Sequence, residues 1–195
     1  MATNADNAFA PVTLAVYRAA AGTTGPTGAT GAPAGFTDMG ALSLDDGYEF
    51  TLPGAGDKTI TKAFANGGTV FFTSRSTSDD LPTWKFTFLE TSVDVIEFTL
   101  GVTIDQDADA GHFVWKNEIP TPEAMVLDLI DGKGDIRRDH IPLANISAVD
   151  AQTIAGTDRL AKCVVTIEGD FSQSLGDDGG NFERWETKLK TPAAG

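Results

Sequence analysis

Between Thr83 and Leu89 the chain alternates strictly, with Trp84, Phe86 and Phe88 on one parity and Thr83, Lys85 and Thr87 on the other. A period of two places alternate side chains on opposite faces, so this stretch predicts a strand with one face buried in an aromatic core. The same alternation recurs over Arg159–Phe171, where Cys163, Val165, Ile167 and Phe171 oppose Thr166, Glu168 and Asp170. With 21 glycines and 9 prolines in 195 residues, turns are too frequent for long helices. Twelve phenylalanines and an apolar share of 41% supply a core for one β-rich domain.

Further strands are expected at Val12–Arg18, Phe36–Leu44 and Gly47–Leu52, the last two around the turn signal Asp45-Asp46-Gly47. Thr69–Arg75 and Thr83–Leu89 are read as a hairpin with Ser76–Pro82 at its tip. Pro82 is tolerable at the start of a strand but not in its middle. His112–Glu118, Ala124–Asp131 and Asp135–Ile141 follow, the last two joined by the hairpin connection Gly132-Lys133-Gly134. Leu143–Thr153 and Phe182–Leu189 complete the extended set, and Gln173–Asn181 reads as loop. Residues 19–35 form a Gly/Thr/Pro-rich loop with Gly22, Gly25, Gly28 and Gly31 at every third position. That run is too short for a collagen-like helix and predicts a flexible surface loop.

One helix is expected, over Thr91–Leu100. Thr91 can cap it, Asp94 lies near the positive end of its dipole, and Gly101 ends it. Val93, Ile96 and Leu100 then share a face that packs on the sheet, with Leu89 preceding them. The expected architecture is mainly β, a β-sandwich or open barrel with this one flanking α-helix and extended loops or arms. The arms are residues 1–10 at the N-terminus and the loop and tail of 172–195. The whole of 1–195 reads as a single domain.

The 14 basic and 28 acidic residues give a formal net charge of −14. Nucleic-acid affinity comes mostly from Lys and Arg, so a specific DNA or RNA binder is disfavoured. The single cysteine, Cys163, excludes an intrachain disulfide and reads as a packed core thiol. No apolar run approaches the length of a membrane span, and the N-terminus lacks signal-peptide character.

Few residues point to chemistry. Asp105, Asp107 and Asp109 alternate as in the first half of an EF-hand, but the glycine falls one place late and Lys116 stands where the closing Glu should be. They are weak metal candidates, and no metal or cofactor is expected. Gly54-Ala55-Gly56-Asp57-Lys58-Thr59 places an aspartate where a phosphate loop needs glycine. His112 and His140 lie in expected strands, and no Gly-x-Ser-x-Gly turn accompanies them. Nothing here argues for an enzyme. The competing readings are a carbohydrate-binding β-sandwich, with Trp115 near an Asp105–Asp109 calcium loop, and a hydrolase with no locatable acid–base pair.

Three stretches resemble the major tail proteins (tail tube proteins) of siphophages, in particular those infecting actinobacteria. The first is Ala2-Thr3-Asn4-Ala5-Asp6-Asn7 with Gly35-Phe36-Thr37-Asp38-Met39-Gly40. The second is Trp84-Lys85-Phe86-Thr87-Phe88-Leu89-Glu90-Thr91, running on to Gly101. The third is Val126-Leu127-Asp128-Leu129-Ile130-Asp131-Gly132, followed by Arg138, Ile141-Pro142 and Val164-Val165-Thr166. The glycine-rich loop at 22–31 and Thr99-Leu100-Gly101 depart from those relatives. No immunoglobulin-like domain, of the kind many of them carry after the tube domain, is expected within these 195 residues.

The resemblance implies a structural subunit of the virion tail, assembled in the host cytoplasm. Hexameric rings would stack into a tube around a tape-measure protein, with tail terminator and baseplate proteins at its ends. Genomic DNA would pass through the lumen without specific binding, and no membrane would be involved. Asp128, Glu168 and Asp170 are the candidate acidic lumen residues on this reading. Alternation fixes a face but not its surroundings, so a solvated outer face is the other reading of each.

Overall fold

The computed structural model describes residues 9–43, 47–52, 55–63, 69–77, 81–88, 92–106, 111–114, 121–154, 161–176 and 179–189. Its strands are β1 (Pro11–Ala20), β2 (Thr37–Ser43), β3 (Glu49–Thr51), β4 (Ala55–Ala63), β5 (Thr69–Thr77) and β6 (Thr83–Phe88). After the helix α1 (Val93–Leu100) come β7 (Asp105–Gln106), β8 (Gly111–His112), β9 (Glu123–Asp131), β10 (Ile136–Ile154), β11 (Ala161–Gly169) and β12 (Glu183–Glu186). The main sheet is antiparallel and runs β2-β1-β9-β10-β11-β6-β3, with β12 also on β10. It is open, since among the described residues β2 and β3 each pair on one side only. The mainly β fold with one helix is thus as expected.

The alternation seen in the sequence sets the core. Trp84, Phe86 and Phe88 of β6 meet Val165 and Ile167 of β11, Leu14 and Val16 of β1, and Met125, Leu127 and Leu129 of β9 in one buried cluster. β10 spans 19 residues and absorbs two segments that the sequence reading kept apart. Its first part pairs with β9 on one side and β12 on the other, and its second part pairs with β11. The register on β9 slips between Ile141 and Ala144, beside Pro142. Proline has no N–H to give a ladder, so a bulge is where a long strand can carry one. Near this bend a Cβ on Gly169 would lie 3.0 Å from Trp84 and 3.2 Å from Ile141. Its absence lets the indole cross over β11, where Nε1 donates to Asp139 Oδ2 at 2.9 Å.

Several expectations are corrected. The Thr69 strand pairs with Ala55–Ala63 in a continuous nine-residue register, and not with the Thr83 strand. The Thr83 strand instead pairs with β11 and β3, which place its aromatic face in the core. The helix begins one residue later than Thr91 allows. Ser92 is the N-cap, its Oγ accepting from Val95 N at 3.4 Å, and Gly101 ends the helix at φ 62°. The fully buried helix residues are Val95, Phe98 and Thr99, while Val93, Ile96 and Leu100 are half-buried. The face is rotated because Phe98 stacks edge-on against Phe88, which fixes which side meets the sheet. Leu89 and Thr91 lie outside the described residues. Phe171 lies beyond the end of β11 and is 53% exposed, so it does not extend that strand's buried face.

Candidate assembly surfaces and a buried charge network

The β9–β10 turn is organised by Asp131. Its Oδ1 accepts from the backbone N–H groups of Lys133 and Asp135, both at 2.9 Å, and Oδ2 accepts from Lys188 Nζ at 2.8 Å. Gly134 takes the left-handed conformation at φ 83° that this tight connection needs. The Lys188 hydrogen bond, aided by those backbone donors, holds the Asp131 carboxyl below the usual carboxylate range.

Beyond the turn, Arg137, Arg138, Asp139 and His140 follow one another on β10. Arg138 and His140 share one face of the strand, and Arg137 and Asp139 share the other. Arg138 is only 1% exposed and stands opposite Asp128 in the β9 register. Its Nε donates to Asp128 Oδ1 at 2.7 Å and its Nη2 to Oδ2 at 2.5 Å, a bidentate pair. Burial pushes the Asp128 carboxyl up, and the Arg138 hydrogen bonds and charge oppose that rise. Asp128, read from the sequence as a polar-face residue, is thus buried within the subunit against Arg138 and is not a solvent-facing carboxylate.

What covers this pair is the glycine-rich segment of residues 21–36. Arg138 Nη1 donates to Gly28 O at 2.9 Å and Nη2 donates to Gly31 O at 2.7 Å. Beside it, His140 Nδ1 lies 2.8 Å from Glu183 Oε1, and the Phe36 ring stands edge-on to the imidazole at 6.0 Å. His140 Nε2 is buried with no hydrogen-bond partner among the described residues. A Cβ on Gly25 would fall 2.3 Å from the His140 ring, so only glycine fits there. The segment is thus a surface loop, as its composition suggested, and it is strapped to the sheet through Arg138. Composition reports turn-formers but is blind to carbonyls meeting an arginine more than a hundred residues away.

On the opposite face Asp139 accepts from Trp84 and from Arg184, whose Nε and Nη2 lie 2.5 and 2.7 Å from its two oxygens. Arg184 also stacks 4.5 Å above the Phe50 ring. Burial pushes the Tyr48 hydroxyl far up, with the nearby Asp139 charge adding to the effect. The sequence reading missed Arg138, Asp139, Glu183 and Arg184 as a set. The signal available was a run of four titratable residues, Arg137 to His140, inside a strand flanked by Ile136 and Ile141.

Glu168 stands across from Asn145 of β10 and Thr83 of β6 and is half-buried. Asp170, also half-buried, accepts from Asn145 Nδ2 at 2.6 Å. Glu168 lies within the β11 ladder near its end, and Asp170 follows just past Gly169. Asp105 is exposed on the β7–β8 pair, while Asp107, Asp109 and Trp115 lie outside the described residues. Among the described residues no three His, Cys, Asp or Glu side chains are grouped to hold a metal. No helix there is long and apolar enough to cross a membrane.

A sequence profile of the phage tail tube protein family matches residues 1–168. The chain belongs to the phage tail tube protein family. The match runs from the N-terminus through the strap and almost to the end of β11 at Gly169. The chain also aligns with a tube-terminating cap of an anti-feeding prophage at 8% identity, with a TM-score of 0.41 and 95% of each chain covered. An extracellular contractile injection system, solved as an extended sheath–tube complex, aligns at 6% identity and TM-score 0.41, covering 95% of this chain and 99% of that one. Among curated proteins none matches the chain.

Proposed function

We propose that this chain is a non-catalytic building block that assembles with itself into hexameric rings, which stack into the tail tube and form the channel for DNA ejection. Family membership over residues 1–168 is the observation that carries this reading. The open sheet supports it, because the outer sides of β2 and β3 present backbone N–H and C=O groups that another chain can pair with. A head-to-tail contact repeated around an axis closes a ring, and stacking repeats it along that axis.

The net charge of −14 suits a wall that DNA must pass without sticking. Glu168 and Asp170, both half-buried, are its lumen candidates. The tape-measure protein inside the tube, terminator and baseplate proteins at its ends, a siphovirus origin and assembly in the host cytoplasm belong to the same proposal. Mass photometry and negative-stain microscopy of concentrated protein test it. Six-fold rings or tubes are expected, and a stable monomer or two-fold dimer at every concentration would overturn it.

A further inference from the structure

The segment that ends the described fold is held by an aromatic anchor at its start and by polar pairs along its length. Phe182 anchors its start, packed edge-on against Trp84 at 5.2 Å and Phe50 at 5.5 Å, with Asn181 Nδ2 donating to Gly169 O at 2.9 Å. Beyond Phe182 none of residues 183–188 is fully buried. Here β12 and the 3-10 turn Thr187–Leu189 after it meet the β9–β10 hairpin mainly through polar and charged side chains, with Trp185 opposite Arg138. Glu183 bonds His140, Arg184 bonds Asp139, Glu186 lies 2.6 Å from Arg137, and Lys188 reaches Asp131 in the turn that follows. Its one ladder is with Arg137–His140, and β12 lies in line with β11 along the same edge of β10. The family match ends at residue 168, before this segment begins.

We propose that β12 is a charge-latched cover for the Arg137–His140 edge of β10, swinging about Phe182 and able to open without unfolding the sheet. Strands fixed by core burial open only with the whole domain, whereas a strand whose own side chains all stay partly exposed, as those of β12 do, can open locally. Salt weakens the Arg137–Glu186 pair, partly exposed on both sides, by screening, with a Debye length of about 3 Å at 1 M against about 8 Å at physiological strength. An opened β12 leaves four β10 residues with an unpaired edge. Resting on the tube-subunit reading above, the cover keeps that edge from premature pairing with a second copy of this chain while subunits are free.

Hydrogen exchange read by mass spectrometry tests the latch on the full chain. The variant Glu183→Gln/Glu186→Gln keeps side-chain size and leaves the buried Asp139–Arg184 pair intact. In it, and in wild type at high salt, exchange over 183–189 should quicken roughly tenfold while 123–131 stays protected, as local opening requires. Exchange over 183–189 that tracks 123–131 in every condition would overturn the latch. The variant should also form rings or tubes at lower protein concentration than wild type. A variant with wild-type melting that assembles less readily would overturn the covering role. Wild type that never assembles would sink the ring reading alone, since the exchange result still decides the latch.

Discussion

Arg138 holds a full charge almost out of water, so its loss is felt through what it leaves behind. Arg138→Met would strand the Asp128 carboxylate and free the carbonyls of Gly28 and Gly31. Breaking one side of a buried pair costs about 3–5 kcal/mol, and urea unfolding should show a loss of that size. Arg138→Met with Asp128→Leu should recover part of it, because no lone charge remains. Gly25 and Gly28 make a matched pair. Gly25→Ala drives a methyl into the His140 ring, an overpacking that costs about 1–3 kcal/mol, whereas Gly28→Ala meets nothing within 4 Å. Gly28→Ala should therefore leave the melting temperature unchanged or slightly raised. Asp131 contributes to the acid response. A carboxyl held below its unfolded value contributes stability above about pH 4, and that stability is lost as pH falls through the folded value. Burial holds the Glu123 carboxyl up, so its contribution has the opposite sign and fades as pH rises. Asp131→Asn should flatten the fall in stability below about pH 4, measured by urea midpoints across pH.

At the scale of elements, the helix shows how much a pattern of spacing leaves open. Its stop at Gly101 and its approximate span were legible, because a left-handed cap favours glycine locally whatever the fold around it. The buried face was not legible, since Val93, Ile96 and Leu100 and the set Val95, Phe98 and Thr99 are both plausible stripes until the sheet chooses one. Phe98→Ala should cost about 3–5 kcal/mol, and Val93→Ala clearly less, in the same unfolding assay. The misread hairpin has a related origin. Both neighbours of the Thr69 strand are near in sequence, and only the ladder decides which one pairs with it. β6 was correctly read as a half-buried strand because alternation is local, yet its partners, β11 and β3, are not.

For the whole molecule, charge is the property to which the proposed tube function gives a consequence. Fixed carboxylates on a channel wall act on DNA within about a Debye length, roughly 8 Å at physiological salt, so only lumen groups count directly. Glu168→Lys with Asp170→Lys should leave tube assembly largely intact and slow DNA delivery, more severely at low salt. Ejection at the wild-type rate across a salt series would remove this pair from the lumen. Asp128 shows why a face is not a location. It lies on the parity opposite Leu127 and Leu129, as a solvent-facing residue would, but the strap and Arg138 close over that side of the sheet.

The sequence by itself determined the class of structure, most of the strand positions, the helix stop, the Gly132–Gly134 hairpin and the acidic balance. Each of these rests on periodicity, backbone preference or composition, which act over a few residues or over the chain as a sum. Only the tertiary structure decided which strands are neighbours, that residues 21–36 are strapped to Arg138, and that Asp128, Asp139 and His140 are buried with partners. Those outcomes join groups 10 to 110 residues apart. A buried charge persists where a distant partner neutralises it, and no local pattern in the chain records where that partner will stand.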